Sequence, residues 1–468
     1  MKLNEADSEE QGGHAFRVMD AYVKWFESEG EKGKRALAVL RLLGLFDRPA
    51  SADCLAALLK APAISGLTEA LVGMSEAQRN LAFSRLEAAK LLTVNRDLAG
   101  SLLLLDSHPL IREYFAKRIR EKQTIAWRAA HRRLYEHLCA TTKEGEQPTL
   151  EDLQPLYQAV AHGYQAAMYQ EACDEVYFAR ILRRKEDYSW RKFGAFGSEL
   201  GAVACFFEQP WNSVSPALRE ADQAWLLNEA GYHLRALGRL TEALKPMQAG
   251  LAMRIKQEVW KSAAIIASNL SELELALGEV AEAVGDAERS VIYANRSGDA
   301  YRRIVARAKI GDILHQAGHR AEAEARFRES EALQAERQPH SPLLYSVLGF
   351  WYCDLLLREA ERGAWQQILK SRVRRQRSEL ENDYRAVSER AAKMLKWTQA
   401  YSGTTSLWGA QRSTRRFCRA RHSTLATPPS RTPWTASAVP ATLSSSLTVF
   451  SPAHGCAVSS AHARIRRV

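Results

Sequence analysis

Apolar side chains recur every three or four positions from near residue 14 to near residue 400, so the chain reads as helix almost throughout. In "HAFRVMDAYVKWF" this period places Phe16, Met19, Tyr22, Val23 and Phe26 on one face. A charged, glycine-containing break follows at "ESEGEKGK". Next, "RALAVLRLLGLF" predicts a strongly apolar helix that stops near Asp47-Arg48-Pro49. "SADCLAALLK" predicts a short helix with Ser51 as its N-cap. "MSEAQRNLAFSRLEAAKLL" predicts a third, with Leu81, Leu86, Leu91 and Leu92 on its apolar side. The pattern then changes. "LTVNRDLAGSLLLLD" reads as two short strands around an Asn-Arg-Asp-Leu-Ala-Gly turn, the second a buried run of leucines. Three helices and a hairpin in that order predict a winged helix over residues 34–120. An Asp-Ser-His-Pro turn then opens the amphipathic helix of "SHPLIREYF".

Further along, "LGRLTEAL" at 237–244, "LGEVAEAV" at 277–284 and "AGHRAEAE" at 317–324 recur with a spacing of 40. Gly238, Gly278 and Gly318 mark a turn, and Ala243, Ala283 and Ala323 are small residues where two helices would pack closely. An apolar helix precedes each turn, as in "SAAIIASNLSELELA". These are helix pairs of an α-solenoid over residues 216–400, whose concave face suits a peptide or another protein. Residues 121–215 are expected to be a helical connector holding a weaker copy, "YQEACDEV". "SERAAKMLKW" is the last helix the pattern supports.

Charge changes the picture only at the end of the chain. The formal net charge is +11, yet residues 402–468 hold nine arginines and no Lys, Asp or Glu. Without them, 56 basic and 54 acidic side chains leave +2. From residue 401 the helical period disappears and Ser, Thr, Arg, Pro and Ala dominate, so a disordered tail is expected. A shift of one nucleotide permits "LTLGRAALYA" over Ser406–Arg415 and "AVDGLRRAGN" over Pro433–Thr442. Two helix-like segments in one frame point to a frameshifted tail. No apolar run reaches the ~20 residues a bilayer requires, and the acidic start "MKLNEADSEE" is no signal peptide. Seven scattered cysteines without a CxxC pair argue against zinc and disulfides, and for a reducing cytoplasmic setting.

Catalytic chemistry is missing from the pattern. There is no GxxxxGK[ST]; "SEGEKGKR" lacks the first glycine and the Ser or Thr. HExxH, GxSxG and kinase signatures are absent. His131 and His137 are six apart and share no helical face as metal ligands would. Trp225, Trp260 and Trp351 fall in apolar helical stretches and are expected to pack in the core. No catalytic residue and no metal site is expected, and the chain reads as a non-enzyme. The winged helix raises DNA as a partner, with Gln78, Arg79, Asn80 and Arg85 on its third helix and Arg96 in the wing. Glu76 and Glu87 interrupt that stripe and the body is near neutral, so DNA is not the expected partner.

"AFRVMDAYVKWF", "ALAVLRLLGLFDRPAS", "SHPLIREYF" and the 40-residue repeats together resemble the C-terminal part of bacterial STAND-class signalling ATPases, the NB-ARC-like or NACHT-like NTPases followed by a winged helix and tetratricopeptide repeats. The resemblance covers about residues 14–400, and its most specific pieces are "GLFDRPAS" and "HPLIREYF". It implies an NTPase core that binds ADP or ATP, a winged helix packed on the nucleotide, and repeats that sense a ligand or hold the protein off. In related proteins a histidine of a Met-His-Asp motif contacts the ADP β-phosphate. His108 stands at the matching place, with Ser107 for Met and Pro109 for Asp; the change at Pro109 puts the detailed role in doubt. The resemblance further implies that residues 1–33 are a linker helix from a missing NTPase core. The chain would then carry no cofactor itself, and a separately encoded NTPase half would be a partner.

The leading expectation is therefore a non-catalytic sensor and regulatory fragment acting through protein or ligand recognition on the repeat surface. The alternatives are a winged-helix DNA-binding transcription regulator with a repeat sensor domain, and a free-standing repeat adaptor.

Overall fold

The computed structural model describes residues 5–370, 385–394, 396–397, 449–451 and 456–458. The expected frameshifted tail lies outside these residues except for two three-residue strands, Val449–Ser451 and Cys456–Val458, which pair with each other. Two compact units divide at Ser189/Trp190, inside the stretch 121–215 that the pattern assigned to one connector. The helices of that stretch fall partly in each unit.

In the first unit, α1 (Glu5–Ser28) buries Met19, Val23 and Phe26 and half-buries Phe16 and Tyr22, the face its spacing predicts. The charged break shrinks to Glu29, because α2 (Gly30–Leu43) begins at Gly30 in the left-handed region, φ +63°. Gly30 reaches that conformation without the clash a side chain would meet. The two-residue strand β1 (Ala50–Ser51) leads into α3 (Ala52–Leu58). Ser51 holds the N-cap position, but its hydroxyl bonds the Asp53 carboxylate instead of a backbone N–H. α4 (Glu76–Ala88) opens with a full capping box between Ser75 and Gln78. Here Leu81 is 73% exposed and Phe83 is buried in its place; Leu91 and Leu92 are buried beyond the helix end.

The strands β2 (Thr93–Arg96) and β3 (Leu102–Asp106) form the expected hairpin, and β1 adds a third strand on the other side of β3. All pairs are antiparallel, with Leu105 opposite both Ala50 and Val94. The turn is closed by Asp97, whose carboxylate accepts from the N–H groups of Ala99 and Ser101 at 2.9 and 2.8 Å. Of the four leucines read as buried, only Leu105 is fully so, and Leu103 is 49% exposed. A three-stranded sheet covered on one face alternates in and out, which the unbroken leucine run conceals.

Helix α5 (Pro109–Lys122) packs on α1 and α2, and α6 (Thr124–Thr141) packs on α3. Gly44 is needed for this closeness: a Cβ there would lie 2.7 Å from the Ala116 backbone nitrogen. α7 (Leu150–Gln165), α8 (Tyr169–Glu171) and the π-helical stretch Ala172–Ile181 form the weaker copy, and they are a helix pair.

The second unit opens at the boundary helix α9 (Tyr188–Phe193), followed by α10 (Phe196–Ala204) and the small ribbon β4 (Phe207–Gln209) and β5 (Ser213–Val214). Then come three helix pairs: α11 (Glu220–Ala236) with α12 (Leu240–Lys256), α13 (Trp260–Leu277) with α14 (Val280–Ser297), and α15 (Ala300–Gln316) with α16 (Arg320–Arg337). Their starts at 220, 260 and 300 keep the sequence period of 40. α17 (Ser346–Lys370) packs on α15 and α16 and continues the array. Residues 385–394 are helical, and Val387 and Met394 pack with Cys353 and Leu357 of α17.

One turn geometry recurs. Gly238, Gly278 and Gly318 have φ of 78°, 87° and 89°. The following N–H returns to the carbonyl five residues back: Arg239 to Leu234, Glu279 to Glu274 and His319 to Leu314, at 2.8–2.9 Å. This Schellman closure satisfies the last carbonyls of the first helix. In the first unit Met168 bonds Gly163 at 2.9 Å in the same way, with Ala167 at φ +61° where the others have glycine. Five residues after each turn residue, Ala172, Ala243, Ala283 and Ala323 are all fully buried.

Candidate functional site

The chemistry-bearing residues collect in two places, one in each unit. In the first, β3 ends at Asp106, whose carboxylate accepts from the Ser107 N–H at 2.8 Å and pairs with Arg112. The same guanidinium donates to the Asp47 carbonyl at 3.3 Å. Arg112 therefore joins "GLFDRPAS" to "HPLIREYF", segments 65 residues apart that also carried the family resemblance. Tyr114 and Arg118 extend the junction, donating to the Asp20 carboxylate of α1 at 2.5 and 3.1 Å.

His108 is the exposed N-cap of α5. Its Nδ1 accepts from the Leu110 N–H at 3.3 Å, and its carbonyl accepts from Ile111 and Arg112. Pro109 has no N–H to offer. The first backbone donors of α5 are thus engaged locally, which removes the open helix N-terminus that an anion usually meets. With Nδ1 accepting, the proton of the neutral ring sits on Nε2, the one donor His108 has left for a ligand.

The residues weighed for DNA readout are tied into the same unit. Arg85 pairs with Glu29 and lies 5.6 Å from the Trp25 ring centroid. Arg96 donates to Asn80 at 3.0 Å, Arg79 to the Met74 carbonyl at 3.1 Å, and Gln78 serves the capping box. Of the two helix histidines, His131 is buried with its Nδ1 2.9 Å from that of His162, while His137 meets Asp53 at 3.0 Å. Asp53, Cys54 and His137 converge, but burial pushes the Cys54 thiol up, away from the thiolate a metal would need.

The second place lies in the repeats. First helices of successive pairs touch: α11 packs on α13, α13 on α15 and α15 on α17, giving one continuous face. In it a cavity of about 340 Å³ is lined by Ser268 and Asn269 of α13, Arg302 and Lys309 of α15, and apolar Ile265 and Val305. Lys309 is buried and reaches Glu272 at 2.7 Å; Arg235 reaches the same carboxylate at 2.6 Å. Burial opposes ionisation of Glu272, but its two cations outweigh that and hold it near a pKa of about 2. Asp312 on α15 has only a Gln316 hydrogen bond and His315 to oppose burial, which raises it to about 7. Glu274 is likewise pushed up, by burial and then by Asp286.

The turn glycines and interface alanines stand out in the sequence, but this polar set does not. Its signal was present as hydrophilic residues inside apolar helices, Ser268-Asn269 in "IIASNL" and Lys309 in "ARAKIG". The tryptophans also differ from expectation: Trp225, Trp260 and Trp351 are only half-buried, and Trp260 stacks on Tyr293 beneath Arg296.

The helix pairs define the class: residues 220–337 are a tetratricopeptide-like repeat region in a mainly helical chain. No protein-family model matches the chain, and no curated protein does. Among solved structures it is similar to a Podospora anserina protein of kinesin-light-chain description with nearly identical tetratricopeptide-like repeats. Identity is 16%, over 48% of this chain and 92% of that one, with a TM-score of 0.28. It is also similar to a signal transduction ATPase with numerous domains (STAND) from Pyrococcus horikoshii that carries a tetratricopeptide repeat sensor. There identity is 13%, over 82% of this chain, with a TM-score of 0.30. The chain spans 56% of that protein's length. Likenesses at these scores carry no functional weight, and the repeat architecture stands on the helix geometry above. Among the described residues no helix is long and apolar enough to cross a membrane.

Proposed function

We propose that the chain is a non-catalytic recognition and regulatory element of a STAND-type signalling protein, binding a protein partner on the first-helix face of its repeats. The observation that carries the binding role is the continuous face of α11, α13, α15 and α17 with its polar cavity. Solenoids present their ligand surfaces in this way. The STAND assignment rests on the two sequence segments that Arg112 joins, and on the order of helices and strands from Gly30 to Asp106, read as a winged helix. In that reading His108 Nε2–H is the donor available to a nucleotide phosphate held by an NTPase domain.

Two measurements test this. Clean protein should release phosphate from ATP no faster than buffer, and turnover above that level overturns the non-catalytic assignment. Fluorescent duplex DNA should show no salt-dependent binding. Binding that is lost on Arg79→Ala and Arg85→Ala would support the transcription-regulator reading instead.

A further inference from the structure

We propose that the cavity between α13 and α15 is a receptor for an acidic peptide segment, whose carboxylate is received by Ser268, Arg302 and Lys309. This rests on the repeat-surface reading above and assigns that surface a ligand class. Three observations meet here. Among the described residues the lining contains Arg191, Arg302 and Lys309 and no acidic side chain. Ser268 is 6% exposed, and its hydroxyl has no hydrogen-bond partner among the described residues. Arg302 Nε, on the facing helix, is also buried without a partner among the described residues. Buried donors left unpaired are costly, so two of them in one cavity mark a place where an acceptor is expected. A carboxylate accepts from a hydroxyl and a guanidinium together, and the charged bond to arginine is the stronger of the two.

Charge sets the sign of the ligand. Glu272 and Asp299 are the nearby anions; Lys309 and Arg235 outnumber the first, and Lys261 at 2.6 Å balances the second. Arg302 adds to the surplus, and Arg337 stands over the Tyr301 ring at the cavity edge. Burial keeps Asp312 largely protonated below neutral pH, so it offsets little of this. A basic ligand would meet a net positive wall whose carboxylates are already engaged. The apolar part of the lining sets the size. Ile265, Val305 and Leu348 offer surface that a bare inorganic anion leaves uncovered, whereas a peptide with acidic and aliphatic side chains covers it.

The test uses the full chain and three fluorescein-labelled hexapeptides, (Glu-Leu)3, (Gln-Leu)3 and (Lys-Leu)3, read by anisotropy and by hydrogen exchange. The Glu-Leu peptide should bind at least tenfold tighter than the others and weaken as salt rises. It should also slow exchange in residues 260–277 and 300–316. Arg302→Gln and Ser268→Ala should each lower its affinity several-fold, while Arg289→Ala on α14 leaves it unchanged; circular dichroism checks that each variant folds. Equal binding of the three peptides, insensitivity to Arg302→Gln, or displacement by equimolar inorganic phosphate would each overturn the proposal. If the Gln-Leu peptide slows exchange on these helices as well as the Glu-Leu peptide does, the acidic preference fails and the repeat-surface reading survives. If no peptide slows exchange on any first helix, both fail.

Discussion

His131 and His162 face each other in the first unit, and burial lowers both, His162 to about 4 and His131 well below its ordinary value. Both are neutral when folded at pH 7, one Nδ1 donating to the other. The unfolded chain takes up protons near pH 6.5 and the folded one does not, so stability is full above that value and declines as pH falls towards 4. For His162 the loss is on the order of 3 kcal/mol across that window. Thermal unfolding from pH 7.5 to 4.5 should show a drop that is smaller in His162→Gln; parallel curves would refute the assignment. Asp312 has the opposite sign. Its pKa is raised to about 7, so the folded state favours the proton, and stability falls as pH rises from about 4 through 7. Asp312→Asn should therefore raise the unfolding midpoint at pH 8 and have little effect at pH 4.5.

At the scale of elements, each repeat is held by the same few contacts. Ser290 Oγ donates to the Ala264 carbonyl at 2.9 Å, and Ser330 Oγ, 40 residues on, donates to the Ile304 carbonyl at 2.8 Å. The matching position in the first pair is Gly250, whose added Cβ would lie 3.2 Å from the Ala224 carbonyl oxygen. Ser290→Ala and Ser330→Ala should each lower stability by about 1 kcal/mol. Gly250→Ser, which adds a hydroxyl and removes a helical glycine, should raise it by about 1 kcal/mol. Urea unfolding monitored by circular dichroism checks all three, and destabilisation by Gly250→Ser would show that the helices are too close there. Gly44 gives a firmer expectation, because its neighbour is backbone. Gly44→Ala should destabilise the first unit by about 1–3 kcal/mol. These small positions are visible in the sequence, but their meaning comes from the helix each one faces.

For the whole molecule, the repeat unit is quasi-one-dimensional, so damage at one pair should spread to its neighbours. Glu272 bridges three helices, with Arg235 on α11 and Lys309 on α15. Glu272→Gln leaves a buried ammonium without its counter-ion, a change worth about 3–5 kcal/mol. Hydrogen exchange should then accelerate across α11, α13 and α15 together; acceleration confined to α13 would argue against the bridge as a unit of the array.

Helix content, the hairpin, the break after α1 and the 40-residue period were legible in the sequence, since each is a local matter of side-chain spacing and turn residues. The capping of α5 at His108 was legible too, because Pro109 and the polar turn before it write a helix start. Other features depended on which surfaces meet. Leu81 and Leu103 are exposed although their local pattern reads as core, because no described element covers them. The third strand β1 is two residues long and exists only because Leu105 lies beside Ala50. The cavity of Ser268, Arg302 and Lys309 draws on helices 40 residues apart, and no window of sequence contains it. The sequence by itself determined the elements and their period, through interactions within a few residues. Only the tertiary structure decided which buried polar groups find partners and which are left facing a cavity, because hydrogen bonding and burial depend on neighbours that chain order does not specify.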